Sequence, residues 1–146
     1  MRVLLDTSFL LPTLGIDTGD ETSKGLKKLA EAEAKISYST FSILESLWAL
    51  ARTIQKETFD LETFRLGLRS IMESGRYDRV AEDSEVFSEA LKIYRLGHRD
   101  MIDNILYASS VRLDLRLVTL DEALKEFILA HGLTNTLVFP DQLEAL

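Results

Sequence analysis

Two rhythms of hydrophobic positions alternate along the chain. Short β-friendly runs are separated by longer stretches in which apolar residues recur every three or four positions, the spacing of one helix face. The short runs predict strands over residues 2–5, 35–38, 77–81, 116–119 and 136–139. The longer stretches predict helices over 9–14, 21–34, 40–55, 61–72, 84–96, 100–113 and from Asp121 to 131, with a short tail helix after Pro140. In the second of these the periodic residues are Leu26, Leu29 and Ala30. In the third they are Phe41, Leu44, Leu47, Trp48 and Ala51, of which the stripe Phe41, Leu44, Trp48 is read as core; in the fourth, Leu61, Phe64, Leu68 and Ile71. Punctuation agrees. Thr7 and Ser8 can cap the first helix, Gly97 and Gly132 stand where helices should stop, and the stretch 16–20 reads as a turn.

Strands that alternate with helices of ten or more residues imply parallel pairing, with helices on both faces of the sheet. The expectation is an α/β sandwich rich in helix. With two prolines, no repeats and no Pro- or Gly-rich linker, residues 1–146 are expected to form one domain.

Composition narrows the chemistry. There is no cysteine, which excludes disulfides, thiol nucleophiles, Cys-ligated zinc and iron–sulfur clusters. An acid at position 6 comes too early for a secretory signal, and no apolar run is long enough to span a bilayer, so a cytoplasmic protein without membrane association is expected. The formal charge of −7 is unlike that of proteins that coat nucleic acid with a broad basic face. An enzyme that meets nucleic acid through a metal site needs no such face.

The acids are where the pattern becomes specific. In open parallel sheets the functional crevice lies at the carboxyl ends of the strands. Asp6 directly follows the first strand, and Asp121 follows the fourth after one spacer, so both belong at that edge. Glu45 lies among apolar and small residues in the long helix, and Asp103 among apolar residues near a helix start. Singly, each has a structural reading: strand-end turn or cap for Asp6 and Asp121, capping box with Ser42 for Glu45, helix-dipole partner for Asp103. Together they are harder to explain that way. Carboxylates about 4 Å apart repel by roughly 4 kcal/mol per pair at an effective dielectric near 20. A cluster needs protons, basic partners or a cation, and hard oxygen ligands favour Mg²⁺ or Mn²⁺. Such ions activate water and neutralise charge on a phosphodiester.

Four motifs in this order resemble the PIN-domain nucleases, including the toxin subunits of the VapBC type: Val3-Leu4-Leu5-Asp6-Thr7-Ser8, the helix acid Glu45, Asp103-Asn104-Ile105-Leu106-Tyr107-Ala108, and Leu117-Val118-Thr119-Leu120-Asp121. The resemblance covers nearly the whole chain. It implies a PIN-like three-layer sandwich with a central parallel sheet of about five strands, and Mg²⁺- or Mn²⁺-dependent cleavage of RNA. It implies that Asp6, Glu45, Asp103 and Asp121 form the acidic quartet, supported by the hydroxyls of Ser8 and Thr119. It also implies an antitoxin partner and a homodimer. The alternative is a PIN-like RNA-binding or assembly module without catalysis.

Two positions depart from the family pattern. Asp100, one turn before Asp103, competes with it as a ligand, and Asn104 stands where alanine is common. His98 and His131 match no zinc spacing and are read as solvated or helix-end residues. Arg95, Arg99, Arg112 and Arg116 flank the expected site in sequence. Each is read as surface, with an RNA-backbone contact as the alternative.

Overall fold

Residues 2–5 pair on both sides, and that pairing organises the molecule. In the computed structural model, which describes residues 1–145, β1 (Arg2–Leu5) runs parallel to β2 (Lys35–Tyr38) on one flank and to β4 (Arg116–Val118) on the other. β3 (Tyr77–Arg79) extends the sheet beyond β2 and β5 (Leu137–Val138) beyond β4, giving the all-parallel order β3-β2-β1-β4-β5. The chain steps outward from β1 in one direction, then crosses back to lay β4 on its other side. The sheet therefore has its topological switch at the carboxyl ends of β1 and β4, where open α/β sheets keep their crevice.

Six helices make the crossovers: α1 (Asp20–Glu31), α2 (Thr40–Gln55), α3 (Leu61–Met72), α4 (Ser84–Leu96), α5 (Met101–Arg112) and α6 (Glu122–Ala130). Side chains alternate across a strand, and the core divides accordingly. Val3 and Leu5 join Val118 and Val138 with Phe9, Leu29, Ile43, Leu50 and Ile71 in one buried cluster. Leu4 joins Leu117 and Leu137 with Ile93, Leu106, Leu124 and Ile128 in another. Both faces of the sheet are covered, as the pattern predicts. α5 is the most enclosed helix, buried without interruption from Asp103 to Ser110. Among the described residues no helix is long and apolar enough to cross a membrane.

Several expectations are corrected. The helix over 9–14 is instead a 3₁₀ turn at Thr7–Phe9 followed by irregular turns. Its cap is Asp6 rather than Thr7 or Ser8. Pro12 has no N–H to give the carbonyl of Ser8, which accepts the Thr18 hydroxyl at 3.0 Å instead. α1 stops at Glu31 rather than 34 because Glu33 adopts φ 51°, turning the chain into β2.

The largest correction is the orientation of α2. Of the stripe read as core, Leu44 and Trp48 are exposed, Trp48 to 65%, and only Phe41 is partly covered; Leu47 and Ala51 beside them are exposed too. The buried face carries Ser42, Ile43, Ser46 and Leu50. Serines at 42 and 46 are small enough to let α2 lie against the sheet and α5. The Ser46 hydroxyl donates to the Ser42 carbonyl at 2.7 Å, so it enters the interior satisfied.

Candidate metal centre

β1 delivers Asp6 to the switch point. Leu5 is in register with Val118, and the Asp6 N–H donates to the Val118 carbonyl at 3.0 Å, continuing the β1–β4 pairing by one residue. Oδ1 of Asp6 accepts the Thr7 N–H at 2.7 Å, and Oδ2 accepts the Thr119 hydroxyl at 2.8 Å. These bonds hold the carboxylate at a fixed angle. Burial nevertheless pushes its pKa up to about 6, against both hydrogen bonds and with help from the charges of Glu45 and Asp121.

α5 delivers Asp103 one turn from its start. Burial holds its carboxyl far above the ordinary range. The Asp6 charge, a hydrogen bond with Asp121, and the charges of Asp100 and Asp121 add to the shift. Asp121 comes from β4 through Leu120 and caps α6, its Oδ1 accepting the Leu124 N–H at 3.0 Å. Its own N–H donates to the Thr119 hydroxyl at 3.1 Å. Thr119 thus ties Asp6 and Asp121 together. Glu45, half-buried on α2, lies near enough for its charge to add to the rise at Asp6.

The structure brings Asp6, Asp103 and Asp121 together at the carboxyl ends of β1 and β4, with Glu45 of α2 close enough for its charge to be felt at Asp6. Asp100 is different. It is exposed, and its Oδ1 caps α5 by accepting the Asp103 N–H at 3.1 Å. Ser8 contributes its backbone carbonyl to Thr18. Among the described residues none of the four acids pairs with Lys or Arg. Burial first, and the neighbouring acids after it, favour the protonated forms of Asp103 and Asp6, which binding of a divalent cation would oppose. The donor set, hard carboxylate oxygens, fits Mg²⁺ or Mn²⁺.

Sequence reading missed one residue here. His98 follows Gly97, whose φ of 125° ends α4. The His98 ring is partly covered, lying 5.2 Å from the Phe127 ring, and its Nδ1 is 2.7 Å from Asn104 Oδ1. One imidazole nitrogen and one carboxylate oxygen each from Asp103 and Asp121 lie within 4.8 Å of one another. His131, exposed and bonded through Nδ1 to the Phe127 carbonyl at 2.9 Å, is a helix-end residue. The signal that could have found His98 was Asn104, a fully buried amide six residues on that needs partners.

The flanking arginines are on the surface. Arg112 pairs with Asp83 at 3.0 Å, Arg99 lies 5.4 Å from the centre of the Tyr94 ring, and Arg116 reaches the Leu137 carbonyl at 3.5 Å. Arg95 and Arg99 line a groove on α4 with Lys92.

Five parallel strands in this order, with acids gathered at the switch, define a class that comparison with known proteins specifies. The PIN domain family matches residues 3–128, and the chain belongs to it. Among solved structures it resembles VapBC2 from Rickettsia felis bound to a DNA fragment from their promoter, at a TM-score of 0.63 and 14% identity, covering 95% of this chain and 97% of that one. FitAcB from Neisseria gonorrhoeae gives 0.59 and 16%, covering 96% and 98%. A toxin–antitoxin complex from Klebsiella pneumoniae gives 0.59 and 14%, covering 94% and 97%. At such identities the likeness is one of fold. No curated protein matches the chain in sequence.

Proposed function

We propose that this PIN domain is a Mg²⁺- or Mn²⁺-dependent endoribonuclease that acts as a single domain in the cytoplasm. The observation that carries the reading is the convergence of Asp6, Glu45, Asp103 and Asp121 at the β1–β4 switch, with Asp6 and Asp103 strained toward protonation. Asp6, Asp103 and Asp121 would hold the ion directly, with Glu45 closing the α2 side. A bound divalent ion supplies activation of water and neutralisation of charge on a scissile phosphodiester. The chain's own contribution is orientation. Thr7 and Thr119 fix Asp6, Leu124 fixes Asp121, and burial keeps bulk water from screening the site.

The resembling structures include toxin–antitoxin complexes, which supports a toxin restrained by a small antitoxin protein. A homodimer is part of the same reading. Leu44, Leu47 and Trp48 lie exposed together on α2, and a second copy is the proposed occupant of that apolar face. The alternative, a binding or assembly module without catalysis, sits poorly with a complete acidic quartet.

The test is cleavage of a structured RNA by purified protein with Mn²⁺, with Mg²⁺ and with chelator. Cleavage should need the metal and be abolished in a folded Asp6→Asn variant. Wild-type rates from that variant would sink the assignment.

A further inference from the structure

We propose that His98 is an additional ligand of the metal centre, binding through Nε2, and that Asn104 is the positioning residue that prepares it. The centre would then prefer Mn²⁺ to Mg²⁺. The inference rests on the metal-dependent reading above and specifies the donor set of that same site.

Asn104 is fully buried at the start of α5, where an amide must find partners for both ends. It finds both on one residue. Its Nδ2 donates to the His98 backbone carbonyl at 2.8 Å, which leaves Oδ1, an acceptor only, 2.7 Å from His98 Nδ1. Nδ1 must therefore carry the hydrogen. In the neutral ring Nε2 then holds the free lone pair. An imidazole whose outer nitrogen donates to a fixed oxygen is the arrangement in which protein metal sites orient a histidine ligand.

The surroundings agree. The connector between α4 and α5 is short, and it is pinned by the His98 N–H donating to the Ile93 carbonyl at 3.3 Å. Phe127 bounds one side of the ring at 5.2 Å. One imidazole nitrogen and oxygens of Asp103 and Asp121 share a space no wider than 4.8 Å. Ligands about 2.1 Å from an ion stand about 3 to 4 Å apart, so small side-chain adjustments complete the set. Nitrogen matters for selectivity. Mg²⁺ is held by oxygen, whereas imidazole adds affinity for first-row transition ions. The departure at Asn104 and the unassigned His98 thus become one device.

A purely structural role for His98 would be to pin the connector. That part uses its backbone N–H and carbonyl, both of which a glutamine keeps. His98→Gln should therefore fold, which makes it the decisive variant. The experiment is titration of the full chain with Mn²⁺ and separately Mg²⁺ by calorimetry, with pulsed electron paramagnetic resonance of the bound Mn²⁺. The wild type should show nitrogen modulation from a directly bound imidazole. His98→Gln should lose that signal and at least about tenfold in Mn²⁺ affinity while Mg²⁺ affinity changes little; Asn104→Ala should lose about 10- to 100-fold for Mn²⁺. Mn²⁺ binding that depends on Asp121 but shows no nitrogen signal, and is unchanged in His98→Gln, would overturn this proposal and leave the metal-dependent reading standing. No Mn²⁺ or Mg²⁺ binding to the wild type would overturn both.

Discussion

The hydroxyl of Thr119 donates to Asp6 Oδ2 at 2.8 Å across 113 residues of sequence, while the same oxygen accepts the Asp121 N–H at 3.1 Å. One side chain thereby sets the spacing of two acids from different strands. Thr119→Val keeps the shape and removes both bonds. The bond to Asp6 lowers that carboxyl's pKa, so its loss should raise the pKa further. The variant should lose about 2 kcal/mol of stability at neutral pH and about 10- to 100-fold in metal affinity. Chemical denaturation and calorimetry measure the two effects; an unchanged affinity would deny Thr119 its supporting role.

The shifted acids give the metal-free protein a pH dependence of unusual sign. Asp6 titrates near 6 in the folded chain against 3.8 in the unfolded one, so the native state holds the extra proton between those values. Its contribution is complete at low pH and is lost as pH rises from about 4 through 6, a change of about 3 kcal/mol. Asp103, pushed up more strongly, extends the decline above that window. The measurement is the melting temperature in chelator across pH 4–8 for wild type and Asp6→Asn. The amide cannot titrate, so the variant should gain on the wild type as pH rises. Parallel curves would contradict the burial of that charge.

Divalent metal should reverse this strain. A ligand bound only by the native state adds about 2.7 kcal/mol at 100 times its Kd, several degrees for a chain of this length. Asp103→Asn should stabilise the apo protein and blunt the Mn²⁺ response. Asp100→Asn should change neither much, because asparagine caps a helix as well as aspartate does. Melting series with and without Mn²⁺ separate the two residues. A greater loss of response in Asp100→Asn would move the ligand role to that residue.

The exposed face of α2 makes a separate prediction. Leu47→Glu with Trp48→Glu should halve the mass seen by light scattering at micromolar concentration and leave the monomer's stability nearly unchanged, since both side chains already meet solvent. A wild type that is monomeric under the same conditions removes the dimer.

Much of this architecture was legible because its signals are local. The run at 35–38 and the helix at 61–72 were bounded by their own residues, and the structure ends both there. Asp6 and Asp121 were legible as strand-end acids once parallel pairing was inferred. The Thr119–Asp6 bond could be expected only through the family pattern, because it depends on β1 and β4 lying in register. The face of α2 was misread because half of its buried residues, Ser42 and Ser46, carry no hydrophobic signal. His98 escaped because its role is defined by Asn104, by Phe127 from α6 and by two acids, none of them its sequence neighbours.

The central position of β1 also bears on synthesis. β1 precedes β2 closely and can pair with it early, whereas its other neighbour, β4, is made only after β3 and five helices. At about 5 to 20 residues per second, the 113 residues between Asp6 and Thr119 take roughly 5 to 25 seconds to translate. A nascent chain ending before β4 carries Asp6 and Glu45 but neither Asp121 nor the hydroxyl that aligns them. Chains terminated before Asp121 therefore lack an assembled centre, and translation itself delays the appearance of whatever chemistry the finished protein performs.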